Sequence, residues 1–132
     1  MKRNFPVFLV GAIAVLITTL TIPSQAHHAW SAEYDSTNQR ELRGVVTRVE
    51  WTNPHVRFYV DVTSENGEVT NWDLELQSAN TLTRNGWTRH ALSAGDEVVV
   101  DAYLARDGSN RANARGNLRL ADGSQLFAGE PE

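Results

Sequence analysis

Two adjacent histidines, His27 and His28, follow a long apolar segment and are the residues of this chain best suited to hold a metal ion. If the chain is cut just before His27, that residue presents its α-amine and its imidazole together, and these two nitrogens can chelate one ion. A third nitrogen would complete a T-shaped histidine brace, a nitrogen-rich tetragonal geometry that suits Cu(II). Candidate third donors are His28, His55 and His90, and His55 is favoured because it lies in the turn after the first predicted strand.

The residue types that are missing limit the chemistry further. The chain has no cysteine, and its single methionine is Met1, so no sulfur ligand for Cu(I) remains after such a cut. The absence of cysteine also excludes disulfide bonds and catalysis by a thiolate. No catalytic triad pattern and no phosphate-binding glycine motif stand out, so an enzyme is the least favoured class. The alternative interpretation of the two histidines is a solvated pair.

Two other polar segments are candidates for binding a ligand or a partner. The loop RDGSNRANARGN holds Arg106, Arg111 and Arg115, a local positive patch that could receive a carboxylate or a phosphate. A flexible, soluble loop is the alternative there. In the turn WTNPH, Asn53 and His55 could contact a ligand, whereas the other interpretation of Asn53 is a structural turn residue.

A pair of carboxylates lies on one face of the third predicted strand. Asp73 and Glu75 are two residues apart, a spacing found in some acid–base pairs. We expect them instead to form a solvated outer face, with Arg57 of the neighbouring strand as an ion-pair partner of one of them. Exposed pairs of this kind contribute little to stability.

The N-terminal residues indicate where the protein goes. Residues 1–26 combine two basic residues, an apolar stretch, a break at Pro23 and a small-x-small site at Ser24–Ala26, which is typical of a cleavable secretory signal. An uncleaved membrane anchor is the alternative, because the apolar run is close to the length that spans a bilayer. The pattern predicts a periplasmic or secreted protein that starts at His27 and has no membrane contact after cleavage.

Charge excludes some partners. The formal net charge is −4, and it becomes more negative when the two basic residues of the signal are removed. An acidic exported domain is a poor candidate for nucleic acid, because binding to phosphates needs net attraction.

The elements that would position these residues are mostly strands. Alternation in GVVTRVEW predicts a first strand with Val45, Thr47, Val49 and Trp51 inward and a bulge at Gly44. Two more alternating strands follow, VRFYVDVTS and VTNWDLELQ. A short helix is predicted to begin after Ser78 and to end at Gly86. It is followed by a fourth strand, EVVVDAYLA, and by a fifth, LRLADGSQLF, which is interrupted near Gly123. Because the fourth strand is apolar on both faces, the arm or the helix should cover its outer side.

This order predicts an all-β fold, a small five-stranded OB-like barrel with one short helix between strands three and four. A small β-sandwich is the alternative. The predicted organisation is a signal peptide at 1–26, an N-terminal arm at 27–40 and the barrel domain at 41–132.

The segments AHHAWSAEYD, GVVTRVEWTNPHVRFYVDV and DLELQSANTLTRNGW, with the later loop RDGSN, resemble a family of small exported bacterial proteins catalogued as a domain of unknown function. The resemblance covers nearly all of the chain after the signal. In this chain Ala29 and Trp30 replace the serine and phenylalanine typical of that family. The resemblance implies export and a single small domain, and it implies no activity.

The sequence therefore favours a non-catalytic exported binding module. Its ligand would be a metal ion such as copper, held by His27, or a small molecule or partner at the barrel mouth. One alternative is an accessory protein that docks onto a larger envelope assembly through Val99, Tyr103 and the arm. A weaker one is a copper-dependent redox enzyme. The patterns leave the oligomeric state open.

Overall fold

The structure is a computed structural model that describes residues 24–115 and 117–127, with residues 24–28, 117 and 127 described by their backbone alone. In chain order, its elements are α1 (Ser24–Glu33), β1 (Tyr34–Glu50), β2 (Arg57–Thr63), β3 (Val69–Glu75), α2 (Ala79–Arg84), β4 (Glu97–Ala105), β5 (Arg111–Asn113), β6 (Asn117–Leu120) and β7 (Gln125–Phe127). No helix within the described ranges is long and apolar enough to cross a membrane.

Five of the strands close into a barrel. They follow the order β1-β2-β3-β5-β4, and a further pairing of β1 with β4 completes the ring. The β3–β5 pair is parallel, and the other pairs are antiparallel. The short helix α2 lies between β3 and β4 in the chain. The predicted all-β five-stranded barrel with one short helix after strand three is confirmed.

Strand β1 takes part in both sides of this closure. Its first part pairs with β4 from Tyr34 to Val45, and its last part pairs with β2 from Val45 to Glu50. A Cβ atom at Gly44 would lie 2.1 Å from the main-chain oxygen of Asp61. Glycine is therefore required where β1 and β2 approach each other most closely.

The predicted phase of β1 is wrong for two residues. Val46 is buried, whereas Val45 is 41% exposed and Thr47 is also exposed. The pairing with β2 shifts between Val46 and Arg48, so the bulge lies at Thr47 and not at Gly44. A bulge reverses which residues face inward, and the sequence pattern placed that reversal three residues too early.

Inward faces of β2 and β3 follow the predicted alternation, and β4 adds the opposite wall. Large side chains of these three strands that are buried in the core include Phe58, Val60, Leu74, Val98 and Val100. Helix α2 begins at the predicted cap, where the Ser78 hydroxyl accepts a hydrogen bond from the main-chain nitrogen of Thr81 at 3.1 Å. It ends before Gly86, whose φ of +91° few other residues adopt readily.

Two stretches are more ordered than the sequence pattern indicates. The first is the predicted arm: its residues 27–33 belong to α1, and residues 34–40 begin β1. The second is the predicted arginine loop, which contains β5 and buries Ala112, Asn113 and Ala114. A three-residue strand of small and polar side chains has no alternation of large apolar residues, so periodicity alone does not reveal it. The last predicted strand is interrupted as expected and forms the β6–β7 hairpin, with Gly123 in the turn.

Candidate functional site

A buried carboxylate at the end of β3 is surrounded by polar side chains from several parts of the barrel. Glu75, the last residue of β3, is only 8% exposed. We call the group around it the Glu75 cluster, and its members are Tyr34, His55, Arg57, Glu75 and Asn113. The prediction that Glu75 belongs to a solvated face is wrong, because the start of β1 covers it.

Each member of the Glu75 cluster approaches one of its two carboxylate oxygens. The Tyr34 hydroxyl donates to Oε2 at 3.1 Å, and Nη1 of Arg57 lies 3.5 Å from the same atom. The side-chain amide of Asn113 donates to Oε1 at 3.5 Å, and Nδ1 of His55 lies 3.6 Å from it. A buried carboxylate needs hydrogen-bonding and ionic partners, and the cluster supplies them to both oxygens of Glu75.

Arg57 links this buried carboxylate to its neighbour on β3. Its Nε and Nη2 donate to the two carboxylate oxygens of Asp73, each at 2.9 Å. This fork-to-fork geometry is the strongest form of an arginine–carboxylate pair. The hydrogen bonds to Asp73 raise the pKa of Arg57 above its ordinary value. Because Asp73 is engaged in this way, Arg57 has only a longer contact left for Glu75.

Tyr34 closes the inner side of the cluster. Its ring is 1% exposed, and burial together with the negative charge of Glu75 raises the pKa of its phenol above the ordinary value of 10.0. Both effects disfavour a phenolate. The hydroxyl is therefore a fixed hydrogen-bond donor to Glu75.

His55 stands at the solvent edge of the Glu75 cluster. Its side chain is 50% exposed, and its Nδ1 also lies 3.3 Å from the main-chain oxygen of Leu76. An imidazole whose Nδ1 carries the proton can donate to these acceptors, which leaves Nε2 with a free lone pair. Histidines that bind metals in proteins are commonly oriented by this kind of contact.

The other predicted metal ligands are His27 and His28, with His90 as a further candidate donor. His27 and His28 belong to α1 by their backbone, but their side chains lie outside what the structure describes. His90 is exposed in the loop between α2 and β4. Among the described residues, no group of three or more histidine, aspartate or glutamate side chains is arranged to hold a metal ion.

The three predicted ligand-binding arginines all contact the N-terminal segment. Arg106 donates to the main-chain oxygen of Ser31 at 2.8 Å and lies 3.7 Å from the Asp35 carboxylate. Arg111 pairs with the carboxylate of Glu33. The guanidinium of Arg115 lies 5.3 Å from the ring centroid of Trp30. We call these contacts the α1 clasp.

Aromatic rings complete the α1 clasp. The Trp30 ring packs edge-on against Tyr103 of β4, with 5.6 Å between centroids, and lies 6.0 Å from the ring of Tyr34. Tyr103 is thereby only 8% exposed. Of the two apolar residues predicted on the outer face of β4, Tyr103 is covered by Trp30 of α1, and Val99 is half-buried. A docking surface made of Tyr103 would be accessible only if α1 moved away.

Two buried polar atoms beside these rings have no hydrogen-bond partner among the described residues. They are Nε1 of Trp30, a donor, and Oδ1 of Asn113, an acceptor. Asn113 pairs across the strands with Tyr103, against which Trp30 packs.

Asn53, the remaining predicted binding residue, has a structural contact. Its Oδ1 accepts a hydrogen bond from the main-chain nitrogen of Asn80 at 3.3 Å, and the peptide bond between Asn53 and Pro54 is cis. This contact ties the β1–β2 turn, which carries His55, to the first turn of α2. Asn53 thus contributes to holding the turn that carries His55 against α2.

Sequence reasoning missed Tyr34 as a member of a site, assigned Glu75 to a solvated face, and did not connect Asn113 with either residue. The signal that pointed toward them was the apolar outer face of β4, which required a cover and so implied that the arm folds onto the barrel. The contact between Asn113 and Glu75 depends on strand β5, because the pairing of β5 with β3 and β4 brings these two residues together.

The model of a family of unknown function, DUF6152, matches residues 14–114. That range spans most of the chain, so the chain belongs to this family, and the resemblance noted in the sequence is confirmed. Neither the curated proteins nor the solved structures contain a match.

Proposed function

We propose that this member of DUF6152 is a small exported binding module that holds one Cu(II) ion through an N-terminal His27, with His55 as the third nitrogen donor. Export and cleavage before His27 rest on the signal-like pattern of residues 1–26. The amine and imidazole of His27 supply two nitrogens, and Cu(II) favours nitrogen donors in a tetragonal arrangement.

The orientation of His55 carries this proposal. Its Nδ1 faces two oxygen acceptors, at 3.3 Å on Leu76 and 3.6 Å on Glu75, while half of the side chain stays exposed. A ring held in this way keeps Nε2 available without a rearrangement. The buried negative charge of Glu75 behind the ring also favours a cation in front of it.

The α1 clasp supports the same assignment. Position 27 lies one turn before Trp30 in α1, or about 4.5 Å along the helix axis. Trp30 packs near Tyr34, whose hydroxyl contacts Glu75, and Glu75 approaches His55. Contacts therefore run from Trp30 of α1 to the third donor, and they link this helix to the side of the barrel that carries His55.

A copper titration on protein with its N-terminus verified by mass spectrometry tests the proposal. Calorimetry should give one Cu(II) per chain, and electron paramagnetic resonance should show nitrogen ligation. One extra N-terminal residue should weaken binding sharply, because the amine becomes an amide. Affinity should fall with acid, since protons compete for the nitrogens.

Two histidine variants form a matched pair for this titration. His55→Ala should weaken copper binding, whereas His90→Ala, in an exposed loop, should leave it unchanged. Equal affinities for the native and the extended protein would refute the brace. An intact mass that retains residues 1–26 would refute the predicted N-terminus and the copper site with it.

A further inference from the structure

Two adjoining cavities open at one end of the barrel, away from the Glu75 cluster. Their volumes are about 760 and 400 Å³, and both are lined by Arg40 of β1, Trp72 of β3 and Asn110, which precedes β5. We call the combined depression the Arg40 groove. Each volume lies in the range of small-molecule sites. None of the Glu75 cluster residues lines either cavity.

The Arg40 groove combines apolar residues with a polar rim. Leu42 and Trp72, both buried members of the core, contribute its apolar surface. The Trp72 indole N–H donates no hydrogen bond to any described residue, yet it is not among the fully buried unpartnered atoms. It is therefore a donor open to a ligand. Tryptophan often serves in this way where an apolar ring meets a wet surface.

The rim offers several polar side chains that the fold does not use. Within the described ranges, the following rim side chains form no hydrogen bond and no ion pair: Asn38, Arg40, Thr63, Glu65, Thr70 and Asn110. Asn110 uses only its main-chain oxygen, which accepts from the nitrogen of Asp73 at 2.9 Å. Amide and hydroxyl groups of this kind can donate and accept at once, so they suit a ligand that does the same.

Charge narrows the class of ligand. The free cation Arg40 is matched by the free carboxylate of Glu65, and Arg106 is already engaged by Ser31 and Asp35. A phosphate-rich ligand would need an excess of free cations. A wholly apolar ligand would leave the amides and the guanidinium of the rim without partners. A polyhydroxylated molecule with little net charge, whose hydroxyl groups both donate and accept hydrogen bonds, suits this rim.

We infer that the Arg40 groove binds a saccharide. Hydroxyl groups of a sugar would bond to the Asn110 amide and the Arg40 guanidinium, and an apolar C–H face would lie at the open edge of Trp72. This site is separate from the copper site, since it shares no residue with it. Its occupancy does not depend on the N-terminus of the mature chain.

Nuclear magnetic resonance on the full mature protein tests this assignment, with cellotriose, chitotriose and maltotriose as probes. At least one trisaccharide should shift the Trp72 indole N–H resonance in a saturable way. The matched variants are Arg40→Ala, in the groove, and Arg43→Ala, outside it on the same strand with its side chain 75% exposed. Arg40→Ala and Asn110→Ala should each weaken binding about fivefold, the loss expected for about one net hydrogen bond. Arg43→Ala should bind like the parent.

Two outcomes would overturn the inference. One is the absence of any shift with all three sugars at about 10 mM, which corresponds to binding weaker than about −3 kcal/mol. The other is parental affinity in the Arg40→Ala/Asn110→Ala double variant, which would locate the sugar elsewhere. Neither outcome bears on the copper titration, because the two sites have no residue in common.

Discussion

Replacing Tyr34 with phenylalanine tests whether the Glu75 cluster is a working part of the fold. The change keeps the buried ring and removes only the hydroxyl, which donates to Oε2 of Glu75 at 3.1 Å. Glu75 would retain Arg57 and Asn113 as partners. The variant therefore removes one hydrogen bond from the Glu75 cluster and leaves the Glu75 carboxylate with its other partners.

The magnitude follows from the geometry of this hydrogen bond. Hydrogen bonds to charged groups contribute about 1.5–3 kcal/mol to stability. A distance of 3.1 Å is long for a hydroxyl on a carboxylate, so the lower end of that range applies. We expect the free energy of unfolding at neutral pH to fall by about 1.5 kcal/mol.

Alkaline pH should reduce this difference. The pKa of Tyr34 is raised in the folded protein, first by burial and then by the charge of Glu75. The folded state therefore keeps the phenolic proton at a pH where the unfolded chain releases it. The stabilisation is fully present below the unfolded pKa of 10.0 and is lost as pH rises from there toward the folded pKa. The parent should lose up to about 1.4 kcal/mol per pH unit in that window, and Tyr34→Phe lacks this loss.

Urea unfolding of both proteins at about pH 8 and at about pH 11 measures the two effects. Tyr59→Phe is the matched control, because its hydroxyl also faces a carboxylate, that of Glu50, but at 3.4 Å and with the residue less buried. We expect the control to change stability by less than about 0.5 kcal/mol. Equal effects of the two variants at neutral pH would refute the argument. So would a Tyr34→Phe difference that stays constant up to pH 11.

Three other substitutions test the barrel and the α1 clasp. Gly44→Ala should lower the free energy of unfolding, measured in urea, by more than about 3 kcal/mol, because its Cβ would lie 2.1 Å from a main-chain oxygen. A decrease of less than about 1 kcal/mol would contradict the close approach of β1 and β2. Trp72→Ala should lower the free energy of unfolding by about 3–5 kcal/mol. A decrease as small as that of a surface substitution would mean that the ring is not part of the core. Arg111→Ala should change the free energy of unfolding by less than about 1 kcal/mol, but it should accelerate proteolysis within α1. Unchanged cleavage there would show that the pair of Arg111 with Glu33 does not hold the helix.

The inward residues of β2 and β3 were readable from the sequence because the apolar side chains of those strands recur at every second residue. The limits of helix α2 were readable for a local reason as well: Ser78 caps it, and Gly86 adopts a positive φ at its end. The barrel followed from the order of these elements. In β1 the same reasoning failed, since a bulge is decided by pairing with β2 and not by the residues of β1 alone.

The functional residues divide in a similar way. The histidines were found from their types and from the signal-like pattern before them, and both properties belong to the sequence. The arginines of the RDGSNRANARGN loop were identified as charged and clustered, but their partners Ser31, Asp35, Glu33 and Trp30 lie 71 to 85 residues earlier in the chain. Composition gives the charge of such a loop and says nothing about what neutralises it.

What the sequence by itself determined is the set of local properties: alternation, caps, turns, net charge and the residue types that could bind copper. Tertiary structure alone decided that Glu75 is buried, because Tyr34, Arg57 and Asn113 come from three different strands. The physical reason is that burial of a polar group depends on distant segments that cover it and supply its hydrogen bonds. A strand pattern records which face a residue occupies, and it does not record what packs on that face.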